Sequence, residues 1–293
     1  LVALTLPLLA LLAATPTPDR AHSEVLPFAY ALMADGDYYR AIGELERFAF
    51  LAPEAPETFP ALLTIGRAYE LGGKPEDAAR WLGRLEPVAT TLQLRGELQV
   101  EQGYARYLAG DAPRAIATLS DAVHGPLHFS LARDTFARAQ YLLAWALLFH
   151  GESGSAAAAF DDVPLPVAPD LASAARGYDQ LPRKSPLLAG ALSALLPGLG
   201  HLYLGLPGIG LAALAWNALF VFATWDALHH HLWGVGASLG FLEGLWYGGA
   251  IFGAVSGAEK YNRDAQLNYL DALRTRYDVA PMAWPPSAVH PRD

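Results

Sequence analysis

The sequence predicts an all-α protein in two parts, a helical repeat region followed by a glycine-rich helical membrane domain. Three observations carry this expectation. Four glycine turns recur at a near-constant period within residues 24–163, and no Lys or Arg occurs between Lys184 and Lys260. The charge is also unevenly spread: residues 1–182 carry 13 Lys and Arg against 22 Asp and Glu, whereas residues 183–293 carry seven of each. An acidic part and a neutral, apolar part answer to different solvents.

Composition removes several classes. The 293 residues are 53% hydrophobic and 17% charged, with no Cys. A disordered chain would be poor in apolar residues, and a disulfide scaffold, a thiolate metal site or an iron–sulfur cluster would need cysteines. A net charge of −9 lacks the basic footprint of a nucleic-acid binder, so no nucleic-acid partner is expected.

The first 14 residues, Leu1 to Ala14, are apolar and uncharged. They are too short to span a bilayer, which takes about 20 residues. With small residues at Ala10, Ala13 and Ala14 they suit the apolar core of a signal peptide, so residues 1–22 read as a leader or N-terminal anchor. Residues 279–293 hold Pro281, Pro285, Pro286 and Pro291 and read as a disordered tail.

Within 23–180 the turns are Gly36-Asp37, Gly73-Lys74, Gly110-Asp111 and Gly151-Glu152, so the glycines are 37, 37 and 41 residues apart. Five residues after each comes Ala41, Ala78, Ala115 or Ala156, and four further on Leu45, Leu82, Leu119 or Phe160. Seven residues before the later glycines sit Gly66, Gly103 and Ala144. A helical hairpin requires this: small residues let two axes approach, and a large one fills the gap behind them. With Gly66, Tyr69, Gly73, Ala78, Leu82 and Pro53, the pattern resembles the tetratricopeptide repeat. The first copy, Asp37-Tyr38-Tyr39-Arg40-Ala41-Ile42 with Glu46-Arg47-Phe48, is similar to the tetratricopeptide proteins of bacterial outer-membrane assembly. The resemblance implies a solenoid whose groove holds a protein partner; Tyr30, Arg67 and Arg106, on the first helices of the hairpins, are the candidates for that contact.

The interval 181–278 reads as a helical membrane domain with a C-terminal helical extension. Its apolar stretches are Leu187–Leu204, broken by Pro197-Gly198-Leu199-Gly200, then Ile209–Leu228 and Leu232–Val255. The second and third are long enough to cross the ~30 Å hydrocarbon core; the first either crosses or bends at Pro197 and re-enters. Gly236, Gly240, Gly244 and Gly248 form a ladder four residues apart, suited to close helix packing and to a homo-oligomer. The motif Pro197-Gly198-x-Gly200-His201-x-Tyr203-x-Gly205, with Asn217 and Glu243, resembles the small bacterial membrane domains that carry Pro-Gly-x-Gly-Gln-x-Tyr-x-Gly, related to the two-transmembrane-helix family. His201 stands where that family has glutamine. The resemblance implies a membrane location and no particular chemistry.

Glu243 lies mid-segment, where a carboxyl either relays protons or is hydrogen-bonded to Asn217 or His201. Asp226, His229 and His230 share one helix face, which is metal-ligand spacing, but a polar turn explains them equally well. No catalytic motif, cofactor fingerprint or metal motif appears, so neither an enzyme nor a cofactor is expected. Basic residues flank both ends of the membrane region, which asks for an even number of crossings and cytoplasmic repeats; a signal peptide asks for exported ones. The expectation is a membrane-anchored protein–protein interaction scaffold of the bacterial cell envelope, in the inner membrane with periplasmic repeats. Its alternative is an oligomeric membrane pore or transport component built on the glycine-rich helices.

Overall fold

The structure is a computed structural model that describes residues 18–277; the leader up to residue 17 and the Pro-rich tail lie outside them. The chain is all-α, with no strand among the described residues. It falls into two compact units divided between Arg176 and Gly177.

The first unit contains α1 (Pro18–Ala34), α2 (Tyr38–Leu51), α3 (Thr58–Leu71), α4 (Pro75–Gly83), α5 (Leu92–Leu108), α6 (Ala112–His124), α7 (Arg133–His150), α8 (Ser153–Asp161) and α9 (Ala168–Gly177). Helix α1 begins inside the stretch assigned to the leader. From α1 to α8 each helix packs on the next, and the first helices of the hairpins also pack along the row, α3 on α5 and α5 on α7.

Each hairpin turn is built alike. Gly36, Gly73, Gly110 and Gly151 take φ of 78°, 71°, 77° and 90°, a left-handed conformation that glycine adopts without a Cβ penalty. The next residue's N–H then reaches back five positions: Asp37 to Leu32 (2.9 Å), Lys74 to Tyr69 (2.8 Å), Asp111 to Arg106 (3.0 Å) and Glu152 to Leu147 (2.9 Å). These bonds satisfy carbonyls that a helix end would otherwise leave open. Asp37 and Asp111 go on to cap the following helix by accepting from the N–H of Arg40 and Arg114. Ala41, Ala78, Ala115 and Ala156 are fully buried, as are Leu45, Leu82, Leu119 and Phe160. A Cβ on Gly66 would lie 2.8 Å from Leu82 Cδ2, and one on Gly103 2.5 Å from Leu119 Cγ. The paired axes therefore approach to a distance only glycine allows.

The second unit contains α10 (Pro186–Leu195), α11 (Leu199–Tyr203), α12 (Pro207–His229) and α13 (Trp233–Tyr277). Ser185 caps α10, accepting from the Leu188 N–H at 3.2 Å, and Pro186 occupies its first position, where no N–H is needed. Ten residues rise only about 15 Å, half a hydrocarbon core. The chain then reverses at Leu196-Pro197-Gly198, and α11 packs back on α10. Its end returns to the start of α10: Tyr203 OH accepts from the Ser185 N–H (3.0 Å), and Lys184 Nζ donates to the Tyr203 carbonyl (3.0 Å). The Pro-Gly break thus makes a half-length hairpin whose end returns to its own start.

Among the described residues one helix, α12, is long and apolar enough by mean hydropathy to cross a membrane, with 11% of its apolar window buried inside the protein. The stretch Leu232–Val255 was expected to be another. It runs instead as the first half of the 45-residue α13, and its glycines, Glu243 and two tryptophans lower its hydropathy. Even so, α12 and α13 pack along each other, and both turn large apolar side chains outward. Val221, Phe222, Trp225, Phe241, Leu245 and Phe252 are 58%, 61%, 59%, 68%, 60% and 73% exposed, an apolar exterior far beyond that of an ordinary soluble domain.

Candidate functional site

The most unusual feature of the first unit is a charge network inside it. Arg138 on α7 and Glu101 on α5 are 4% and 5% exposed at their side chains and paired through the two terminal guanidinium nitrogens; the Nη2–Oε2 bond is 3.1 Å. Glu70 on α3 is 2% exposed at its side chain and lies 3.8 Å from Arg67. Neither Glu70 oxygen accepts a hydrogen bond among the described residues. The Arg138 guanidinium stacks over the Tyr104 ring, 5.4 Å from its centroid, a favourable cation–π placement. Two carboxyl groups, two guanidiniums and a phenol thus link the first helices of three successive hairpins. Burial opposes the Arg138 charge, but Glu101 and Glu70 more than offset it and hold the guanidinium protonated.

Glu70 behaves differently. Burial, reinforced by the nearby Glu101 and only partly opposed by Arg67 and Arg138, pushes its carboxyl up to about 8 from the ordinary 4.5. Folded protein then keeps a proton that the unfolded chain releases once the pH passes 4.5. Stability must fall as pH rises from about 4.5 to 8 and level off above, with a limiting slope of about 1.4 kcal/mol per pH unit for one proton. Glu70→Gln, which stays neutral throughout, is expected to flatten that slope. Hydrogen–deuterium exchange of the α3 and α5 amides at pH 5, 6.5 and 8 measures it; equal slopes in both proteins would refute the assignment.

The three residues expected to face a partner occupy different settings. Tyr30 is partly buried, with its hydroxyl near Thr64 on α3. Arg67 is 15% exposed at its side chain beside Glu70 and lies near the Tyr104 hydroxyl. Arg106 donates to Thr118 Oγ1 on α6. All three hold neighbouring helices together. None of the three lines either of two concavities of this unit, one of about 370 Å³ beside α5 at Glu86, Arg95, Gln99 and Leu127 and one between α6, α7 and α8. The latter is a groove of about 360 Å³ lined by Val123, His124, Gln140, Leu143, Leu147 and Asp162, among others.

In the second unit the motif residues converge on the half-length hairpin. Gly198 has φ 96°, and a Cβ there would meet the Gly210 carbonyl oxygen at 2.0 Å. A Cβ on Gly200 would meet the Ala189 carbonyl oxygen at 2.1 Å, and its N–H donates to Ser193 Oγ at 3.2 Å. Gly205 turns the chain into α12 with φ 79°. Asn262, on α13, pairs with the backbone of Lys184 in both directions: its Oδ1 accepts from the Lys184 N–H (2.7 Å) and its Nδ2 donates to the Lys184 carbonyl (2.8 Å). Tyr247 OH donates to the Ala194 carbonyl at 2.8 Å. His201 and Asn217 are 7% and 3% exposed. Asn217 Nδ2 donates to Ala213 O (2.6 Å), while Asn217 Oδ1, His201 Nδ1 and both Glu243 oxygens hydrogen-bond to nothing among the described residues.

The glycine ladder divides. A Cβ on Gly236 would strike Leu228 at 2.5 Å and one on Gly240 would touch Thr224 at 3.6 Å, whereas Gly244 and Gly248 face open space. A four-residue step overshoots the 3.6-residue turn, so the row rotates from the α12 contact to the outside. His229 stacks on Trp225, with ring centroids 5.3 Å apart, and His230 lies 3.4 Å from Asp226. The described residues contain no group of three or more His, Asp or Glu placed to share a metal ion.

Sequence reasoning missed Glu70, Glu101 and Arg138 as parts of a site. A signal existed for Arg138, a lone charge in the apolar run Phe136 to Phe149. Comparison with known proteins adds no homology: no family model matches the chain, no curated protein matches it, and no solved structure matches it.

Proposed function

We propose that this chain is a membrane-anchored interaction scaffold of a bacterial inner membrane, with a tetratricopeptide-like solenoid that holds a protein partner. One observation carries the reading: a row of tightly packed hairpins is joined in one chain to a unit that exposes large apolar side chains around α12 and α13. The concavity between α6, α7 and α8 is the partner groove, with an apolar floor at Val123, Leu143 and Leu147 and a polar rim at His124, Gln140 and Asp162.

The hairpin of α10 and α11 bears on sidedness. Because it returns to Lys184, the count of crossings is even once α12 leaves and α13 comes back. Arg183, Lys184, Lys260 and Arg263 then share a side, while the turn between α12 and α13 has no Lys or Arg. The positive-inside rule favours the cytoplasm for the basic side and the solenoid. This reverses the periplasmic expectation, which leans on the N-terminal apolar stretch.

With no native cysteine, single cysteines at Gly154 and His230 report topology through a membrane-impermeant maleimide. Both sites are exposed. His230→Cys is expected to label once the outer membrane is opened, and Gly154→Cys only after lysis. The opposite pattern puts the solenoid in the periplasm, and equal labelling of both sites refutes a crossing by α12. A photo-crosslinking amino acid at His124 should give a discrete adduct that Leu147→Glu abolishes; an adduct that survives Leu147→Glu would refute the groove.

A further inference from the structure

An apolar groove runs between α12 and α13, and its lining includes Ala213, Trp216, Phe220, Leu242, Trp246 and Gly249. On α12 it extends from Ile209 to Phe220, eleven residues or about 16 Å of rise. Its empty space of about 1310 Å³ over that length leaves a cross-section of about 80 Å², that of a bare helix about 10 Å across. A helix therefore fits the groove. Trp216 faces Trp246 across it, with ring centroids 6.4 Å apart. One turn along, the antiparallel course of the two helices brings Ala212 and Ala213 level with Gly249 and Ala250, so the walls there are low. A Cβ on Gly249 would meet nothing within 4 Å.

The face of α13 beside the groove is patterned for a helix of its own kind. Val235, Ser238, Leu242, Leu245, Gly249 and Phe252 follow one another at steps of three, four, three, four and three. That alternation is the 3.5-residue repeat that holds two parallel helices together along one seam. All six residues are exposed, so nothing among the described residues covers the seam. At a two-fold axis each seam residue meets its own counterpart, and at Gly249 a glycine then faces a glycine, which lets the two backbones approach closely. Ile209, Trp216, Leu242, Leu245 and Trp246 are each about half exposed and leave on the order of 500 Å² uncovered in one copy. Two copies together would bury about 1,000 Å², the size at which an interface is specific. Gly244, of the glycine ladder, lies off this seam, about 200° round the helix from Leu242.

We propose that a second copy of this chain fills the groove, in a parallel two-fold dimer in which α13 of each copy lies between α12 and α13 of the other. Lipid tails are as apolar as the walls, so the gain comes from packing: one helix matches a cross-section that flexible tails fill only in part. The inference rests on the membrane-embedded reading of this unit, because a shared orientation in the bilayer is what makes the two α13 helices parallel.

The test uses the full chain, which has no native Cys, in phosphatidylcholine vesicles at a low protein-to-lipid ratio. A disulfide needs Cα atoms within about 7 Å of each other, so Leu242→Cys, Leu245→Cys and Gly249→Cys are expected to form dimers under mild oxidation about ten-fold faster than Gly244→Cys. Fastest cross-linking at Gly244→Cys would give the interface to the glycine ladder and overturn the proposal. Equally slow cross-linking at all four, rising with protein density, would be random encounter and would overturn it too. Energy transfer between donor- and acceptor-labelled copies reads the association without oxidation. Gly249→Leu is expected to weaken it by about ten-fold, and Gly244→Leu to leave it unchanged. A Cβ at either position meets nothing within 4 Å in the single chain, so a loss confined to Gly249→Leu belongs to the interface. Unchanged association in Gly249→Leu would refute the close approach. Flotation with the vesicles reads membrane insertion separately. A chain that fails to float refutes the membrane reading, and the same cross-linking in detergent micelles still decides the dimer.

Discussion

Replacing Arg138 by Met is expected to cost the first unit about 3–5 kcal/mol, most of its margin of stability. The cause is not the lost pair as such. The guanidinium is buried between Glu101 and Tyr104, and Glu70 adds to the field that holds it charged. Without it, two carboxyls remain in the interior, and only Glu70 keeps a guanidinium, that of Arg67, beside it. A buried, unpaired carboxylate is far more costly than no charge, whereas a pair exchanged for apolar side chains of similar volume is often nearly neutral. The double change Arg138→Met with Glu101→Leu should therefore recover much of the loss. Hydrogen–deuterium exchange of the α5 and α7 amides in the full chain reads both effects. A single change costing under about 1 kcal/mol, the range of an exposed pair, would contradict the buried geometry. Failure of the double change to recover would assign the effect to packing around Tyr104.

Gly198→Ala is expected to disrupt the second unit as severely. At φ 96° an alanine is strained whatever the space, and here its Cβ would also lie 2.0 Å from a backbone oxygen, that of Gly210. Backbone cannot give way as a side-chain tip does, so the turn must open or α12 must shift at its start. Gly205 supplies the control. It has φ 79° but nothing within 4 Å of a Cβ, so Gly205→Ala should cost only the left-handed penalty of about 1–2 kcal/mol. Trypsin cleavage after Lys184 in vesicles separates the two, because Lys184 is held on both sides by Tyr203 and Asn262. Gly198→Ala should make that bond rapidly cleavable, while Gly205→Ala leaves it close to wild type. Equal protection in both would show that the hairpin does not depend on the close approach.

The turns of the first unit were legible because their physics is local. A left-handed glycine, a back-bonded N–H and an alanine five residues on all fall within one stretch of chain, so Gly36, Gly73, Gly110 and Gly151 declare themselves. Partner contacts were not legible by the same means. Helices α3, α5 and α7 pack against neighbours on more than one side, so an arginine on them has no outward face to be assigned to. Arg67 and Arg106 read as exposed cations, but the structure turns them onto Tyr104 and Thr118. Glu70, Glu101 and Arg138 belong to three helices more than 30 residues apart, and nothing in their spacing says that they meet.

The same division holds in the second unit. Composition alone set the interval between Lys184 and Lys260 apart, since the absence of Lys and Arg over so long a run is a pattern that solvent imposes on every residue separately. The Pro197-Gly198 break was visible too, because proline and glycine restrict their own backbone. Whether the broken stretch ran straight or turned back was decided only in three dimensions, by the contact of Gly200 with Ala189 and the clasp of Lys184 on Tyr203 and Asn262. Which glycines of the ladder touch another helix was likewise settled by the position of α12. Sequence sets what each residue tolerates, whereas burial, pairing and direction are properties of neighbours that the chain brings together only by folding.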